Sequence, residues 1–159
     1  GGAAPQGSLK VTAPLGLGRR VIGPLVPRFR AAHPEVDVRL RLSDYLVDLF
    51  TEAVDVAVRM APLVDSSLVV RKIADVELSI CASPSYLDKM GMPKSAADLE
   101  QHRCLKLRYP GARQSRWTLV KGKREIEVAV SGHLDTDDGD ILTDWAVSGE
   151  GIGGLLNAF

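Results

Sequence analysis

The sequence predicts an α/β protein built in two lobes. Three observations lead there. Stretches alternating apolar with polar residues, the mark of half-buried strands, recur along the chain. Between them lie stretches with helical apolar spacing and recognisable caps. The order is strand–helix–strand–helix–strand, then strand–helix–helix–strand–hairpin–helix–strand, which belongs to short α/β units.

The first strand is "SLKVTAP", where Leu9, Val11 and Ala13 alternate with polar neighbours. "LGLGRR" then leads into a helix carrying Val21, Ile22, Leu25, Val26 and Phe29 at helical spacing. Pro24 and Pro27 place its start, or a bend, near themselves, because an interior proline loses a hydrogen bond and clashes with the preceding turn. His33-Pro34 ends it. "EVDVRLRLS" is a second strand, with Val36, Val38, Leu40 and Leu42 on one face and Asp37, Arg39 and Arg41 on the other. Ser43 or Asp44 caps a short helix over "YLVDLFTEA". "VDVAVRM" (54–60), "SLVVRKI" (67–73) and "VELSICA" (76–82) follow as strands. "SPSYLDKMG" is a marked helix, with Ser83 as N-cap, Pro84 first inside and Gly91 just past the end. In "SAADLEQH", Ser95 and Asp98 are spaced as a capping box. "RCLKL" reads as a strand, and "RWTLV" with "REIEVAV" as a hairpin turning at Lys121-Gly122-Lys123. "TDDGDILTDWAVSGEG" supplies acidic caps, then Ile141, Leu142, Trp145 and Ala146 on one helical face. "IGGLLNAF" closes with an apolar, strand-like run.

Composition narrows the function classes. The chain has 159 residues, 45% hydrophobic and 25% charged, ordinary for a globular protein. At that size roughly two thirds of the extended-chain surface is buried, enough for a core. Twenty basic residues balance twenty acidic ones, so the basic excess typical of a domain gripping phosphates is missing. No apolar run approaches membrane-spanning length. "GGAAPQGS" has neither the basic nor the apolar part of a signal peptide and reads as a linker or tag remnant. Cys81 and Cys104 form no metal or C-x-x-C spacing. A reduced cytosolic chain is the simple reading, with one disulfide left open.

"GEGIGG", with Gly149, Gly151 and Gly154, matches the dinucleotide fingerprint G-x-G-x-x-G. The true motif follows a strand and opens a helix, aiming amide N–H groups at phosphate. Here a helical pattern precedes the glycines and the apolar run follows, so a helix carboxyl end faces them and its carbonyls repel anions. Gly149 and Gly151 are expected to be left-handed residues stopping the helix. No serine occupies a nucleophile elbow. His33, His102 and His133 read as solvated or core-edge residues. The carboxylates of "DTDDGD" read as helix caps and not as a cation site, and Cys104 as a buried structural thiol. The basic loop "RYPGARQSR" reads as an exposed connection. No metal and no cofactor is expected, and no catalytic residue is assigned. What remains is a small-molecule site at the carboxyl ends of strands, where "APLGLG", "LSDY" and "RMAP" lie.

The stretches "GSLKVTAPLGLGRRVIGPLVPRFRAAHPEVDVRLRLSD", "VDLFTEAVDVAVRMAPLVDSSLVVRKI", "CASPSYLDKMGMPKSAADLEQHRCL" and "AVSGEGIGGLL" resemble, in order and spacing, the effector-binding domain of LysR-type transcriptional regulators. The resemblance covers nearly the whole chain. It implies a two-lobed, periplasmic-binding-protein-like (type 2) fold with a small-molecule effector in the cleft. The first lobe would be residues 1–82, with 1–7 as linker or tag remnant, and the second 83–159, returning toward the first. The chain crosses between Ala82 and Ser83, then again near residues 134–137 or after the last helix. Effector contacts would come from Pro14, Leu15, Gly16 and Leu17, from Ser43 and Asp44, from Met60, from Ser83, and from Thr136, Asp137 and Asp138. Homodimers or larger homo-oligomers would form through Val21, Ile22, Leu25 and Phe29 against Ile141 and Trp145. DNA would be reached only through an N-terminal helix-turn-helix domain outside this sequence, in a cytoplasmic protein without membrane contact. The family's effector domain continues past "LLNAF", so the first lobe is expected to be incomplete here.

Two departures from the family bear on the effector. Gly16 and Leu17 stand where many members carry a hydroxyl residue, leaving only backbone donors. Asp137 or Asp138 stands where many carry asparagine, and a carboxylate there repels an anion. These imply a neutral, apolar or cationic effector. The alternatives are an extracytoplasmic solute-binding protein and a small nucleotide-dependent α/β enzyme built on "GEGIGG".

Overall fold

A computed structural model describes residues 4–45, 52–60, 67–108 and 115–157 of the chain. It divides into two compact units, residues 1–70 and 71–159.

The first unit is a parallel sheet with a helical layer. Strand β1 (Gly7–Ala13) lies between β2 (Val36–Leu42) and β3 (Val56–Ala57), both parallel to it. Along β2 the odd–even alternation read from the sequence appears as alternating burial, with Val36 deepest. Helical structure begins at Leu15, earlier than the prolines suggested. It runs through α1 (Leu15–Leu17), a wide π-helical turn at Gly18–Ile22, and α2 (Gly23–Ala32). The wide turn accommodates the prolines: Gly23 N–H donates to the Gly18 carbonyl five residues back, and Pro24 falls in the first turn of α2, where no amide is needed. Pro27 lies inside α2, and His33 ends it as expected. Gly18 rests on Leu42, with no room for a Cβ. Helix and strand therefore approach closely here.

Two strand expectations need correction. Residues 54–60 form only the two-residue β3, extended by Asp55 N–H to Lys10 O and Val58 N–H to Thr12 O. Residues 67–73 form no strand: the alternation is present, but these residues pair with no other described strand, and Val69 is fully exposed. Alternation describes what a strand needs on its two faces, while the ladder needs a partner that local pattern does not supply. Of the helix expected over "YLVDLFTEA", residues 46–51 lie outside the described residues.

The second unit carries a four-stranded sheet in the order β4 (Glu77–Cys81), β9 (Ile152–Asn157), β5 (Cys104–Leu107) and β8 (Asp135–Thr136). Strand β4 runs antiparallel to β9, and the other pairs are parallel. Strand β4, just before the crossing expected at Ala82–Ser83, pairs with β9 and falls in the second compact unit. A hairpin, β6 (Arg116–Lys121) and β7 (Arg124–Ala129), turns through Gly122, whose φ of +65° suits glycine.

Helix α3 (Pro84–Met90) has the predicted caps: Ser83 Oγ accepts from Tyr86 N–H, and Gly91 sits at φ +85°. A 3₁₀ turn spans Ala97–Gln101, and Asp98 reaches back to the Lys94 amide at 2.8 Å. That bond, with further help from Ser95, holds the Asp98 carboxyl below its usual pKa. Helix α4 (Gly139–Val147) starts at its Asp138 cap.

Two cores hold this unit. Tyr86, Leu99, Cys104, Val128, Val130 and Ile152 form one, sealed by the hairpin residues Trp117, Leu119 and Ile126. Leu105, Leu142 and Ala146 form the other, where α4 lies against the sheet.

Candidate functional site

The strands of the first unit are parallel, so their carboxyl ends share one edge. Pro14, Leu15, Gly16 and Leu17 follow β1, Ser43 and Asp44 follow β2, and Met60 follows β3. Side-chain and backbone bonds join the first two groups. Ser43 N–H donates to Ala13 O at 2.9 Å, and Leu15 N–H donates to Asp44 Oδ1 at 2.9 Å. Asp44 therefore caps the helical run across the sheet edge. Ser43 Oγ accepts from Tyr45 N–H at 3.1 Å and turns the chain away. Met60 is partly exposed at the same edge.

Arg59 is the residue that sequence reading missed. Its guanidinium donates to Ser43 O at 3.2 Å and to Thr12 Oγ1 at 3.3 Å, linking the ends of all three strands. Thr12 is itself buried, at 4% exposure, and is the buried polar residue of the described chain. Partial burial lowers the Arg59 pKa, and the nearby Asp44 charge opposes that shift. The available signal was an arginine ending the apolar alternation "VDVAV", next to Met60, which was singled out instead. Beside Thr12 and Ser43 lies a cavity of about 180 Å³, completed by Lys10, Arg41, Glu52 and Val54.

In the second unit the expected residues fall in two places. Thr136 ends β8, opposite Leu107. Its Oγ1 accepts from Asp138 N–H at 3.1 Å, while Asp138 Oδ1 accepts from the Asp140 and Ile141 amides at 2.8 and 3.2 Å. The Thr136, Asp137 and Asp138 group is thus a helix entrance. Ser83 lies at the other end of the same sheet. It follows Cys81, which pairs with Gly153 at the start of β9, where Leu105 also pairs. Thr136 pairs two residues further along β5, in the opposite direction. The register places Ser83 apart from Thr136–Asp138, and Ser83 Oγ is engaged with Ser85 Oγ and Tyr86 N–H.

The hexapeptide at 149–154 lacks the strand-to-helix setting of a dinucleotide phosphate turn. It leaves α4 and enters β9. Gly149 has φ +83° and stops the helix as expected. Gly151 differs from expectation: it is not left-handed, and its constraint is space, since a Cβ there would stand 2.7 Å from the Arg103 carbonyl oxygen. Among the described residues no three His, Cys, Asp or Glu side chains gather as a metal site. Both cysteines are free. Burial pushes the Cys104 thiol up to about 11, an inert thiol. His102 Nδ1 lies 2.8 Å from the Tyr86 hydroxyl, which also accepts from Arg103 N–H, a core-edge arrangement. Of the basic loop 108–116, residues 109–114 lie outside the described residues.

The expected contact residues between copies divide by exposure. Leu25, Phe29 and Ile141 are exposed, Val21 and Ile22 half-buried, and Trp145 packs against the core under α4.

The family model described as the LysR substrate binding domain matches residues 2–157. The chain is 32% identical over 148 residues to the HTH-type transcriptional regulator DmlR of Escherichia coli K12, covering 93% of this chain and 48% of DmlR. Among solved structures it is similar to CrgA, a LysR-type transcriptional regulator from Neisseria meningitidis. That match has a TM-score of 0.80 and 31% identity, over 96% of this chain and 51% of CrgA. It is also similar to full-length AphB, the virulence activator of Vibrio cholerae, at a TM-score of 0.79 and 28% identity, over 95% of this chain and 51% of AphB. The chain spans about half the length of the curated relatives it matches.

Proposed function

Because this chain belongs to the LysR substrate-binding domain family, we propose that it is the effector-sensing part of a LysR-type transcriptional regulator. Its fold is the mixed α/β, periplasmic-binding-protein-like fold of LysR effector-binding domains. The relatives are transcriptional regulators, and neither the solute-binding nor the enzyme alternative finds support among them. A small molecule binds where strand ends meet and favours one conformation of the regulator, shifting the DNA-bound states of the whole protein. The DNA contact belongs to a helix-turn-helix domain elsewhere in that protein.

The observation that carries this reading is the joining of the first unit's strand ends. Leu15, Ser43, Asp44, Thr12 and Arg59 are linked there by one set of hydrogen bonds. In open α/β sheets such an edge is where ligands collect. Gly16, Leu17 and Met60 are at the same edge, and within the second unit the candidate contacts are Thr136, Asp137 and Asp138. Ser83 is the weakest member, given its place at the far end of its sheet. The protein works in the cytoplasm as a homodimer or larger homo-oligomer, with Leu25, Phe29 and Ile141 supplying exposed apolar contacts. No helix among the described residues is long and apolar enough to cross a membrane.

The test is a thermal-shift screen of small metabolites, followed by amide NMR of each hit. Perturbations at Ala13–Leu17 and Ser43–Asp44 are expected. Hits that map only to 149–154, or that are exclusively nucleotides, would point to the enzyme reading instead.

A further inference from the structure

Asp138, one of the two acids that argued for a neutral or cationic effector, is engaged in the fold, and so is Asp44 at the first unit's strand ends. Asp138 accepts two amides at the start of α4, at 2.8 and 3.2 Å. Asp44 accepts the Leu15 amide at 2.9 Å. A carboxylate that neutralises a helix start has part of its field cancelled by the amides it accepts. Arg59 is in the converse position. Among the described residues its hydrogen bonds, at 3.2 and 3.3 Å, go to a neutral carbonyl and a neutral hydroxyl. They use two of the five N–H donors a guanidinium has. The Asp44 charge is nearby, but among the described residues the acceptors that Arg59 touches are neutral, and a half-buried cation so held gains from an added anion in direct contact. The adjoining cavity is lined by Lys10 and Arg41 against one carboxylate, Glu52, with the Thr12 and Ser43 side chains between them. Lys10 Nζ is itself 3.8 Å from Glu52 Oε2 and 2.6 Å from the Glu52 carbonyl.

We propose that Arg59, at the joined ends of the three parallel strands, determines effector charge by taking an anionic group, a carboxylate or a phosphate, on its guanidinium. This rests on the reading of that edge as the effector site. It reverses the effector class expected from the sequence. The fork geometry of the guanidinium suits a two-oxygen acceptor better than a lysine would. Thr12 and Ser43 hold the fork in place, and Asp44 acts as the like-charged neighbour that an incoming anion must tolerate.

The experiment titrates the labelled chain with succinate, inorganic phosphate and the uncharged succinamide, following the Arg59 Nε–H signal and the Thr12 and Ser43 amides. Succinate or phosphate is expected to give saturable shifts at all three, and succinamide none. Arg59→Met should weaken the anion by at least about tenfold, the loss of one charge-assisted bond. Arg59→Lys should recover part of it. Asp44→Asn keeps a capping oxygen and removes the charge, so anion affinity should rise by about threefold or more. Circular dichroism of each variant checks folding; if Arg59→Met does not fold, Arg59→Lys and Asp44→Asn carry the comparison. No shift with either anion, equal shifts with succinamide, or unchanged affinity in the folded Arg59 variants overturns the proposal. Uncharged metabolites shifting Ala13–Leu17 while leaving Arg59 Nε unmoved overturn it alone and leave the effector-domain reading standing. Screen hits that avoid the strand ends altogether sink that reading as well.

Discussion

Gly149 and Gly151 lie two positions apart and are glycine for different reasons. Gly149 needs the left-handed backbone, at φ +83°, which costs another residue about 1–2 kcal/mol. Gly151 needs empty space beside a carbonyl oxygen 2.7 Å from any added Cβ. A backbone carbonyl inside a sheet yields less readily than a side chain. Gly151→Ala should therefore cost about 1–3 kcal/mol by overpacking, at least as much as Gly149→Ala. Urea denaturation of both variants checks this, and a neutral Gly151→Ala would contradict the geometry. Cys104 gives a second residue-scale test. With its pKa raised to about 11 by burial, it is only about one part in a thousand thiolate at pH 8. Iodoacetamide at pH 8 should modify Cys81 in the native protein and reach Cys104 only on unfolding. Two thiols reacting at one rate would show that Cys104 is not buried as described.

At the scale of elements, caps were legible because their chemistry is local. Ser83-Pro84 with Gly91 was read within a few residues and stands as read, and the acidic caps read in "DTDDGD" resolve to Asp138. Asp138→Ala should cost about 0.5–2 kcal/mol through the two lost amide bonds. Asp138→Asn should cost much less, since it keeps the accepting oxygen. Thermal melts of the pair separate capping from charge: equal losses would mean that the negative charge, and not the acceptor, stabilises α4. The strand expected at 67–73 failed for the complementary reason. Its alternation is real, but a strand is a pairing, and the partner is chosen elsewhere in the chain. The helical run missed its start at Leu15 because its cap, Asp44, comes from another element entirely.

At the scale of the molecule, both buried hydrophobic clusters of the described residues belong to the second compact unit. Leu142, at 1% exposure, anchors α4 to Leu105 and lies under Gly153. Leu142→Ala should destabilise by about 2–5 kcal/mol, the cost of a buried cavity. Native-state hydrogen exchange locates the loss. Protection should fall in β5, β9 and α4, while the β1–β2 ladder keeps its own rates if the units open independently. Equal loss across β1 and β2 would mean that the two units unfold as one.

The sequence by itself determined the α/β class, most strands and caps, and the reversed polarity of "GEGIGG". Each of these follows from periodicity or hydrogen bonding within a few residues. Family membership was legible as well, because it rests on many short stretches in a fixed order. Only the tertiary structure decided which of those residues meet. Strand register put Ser83 and Thr136 at opposite ends of one sheet, and parallel packing brought Thr12, Ser43, Asp44 and Arg59 to one edge. The physical reason is that Arg59 acquires its partners 16 and 47 residues away. No local pattern encodes that distance, and only the folded sheet closes it.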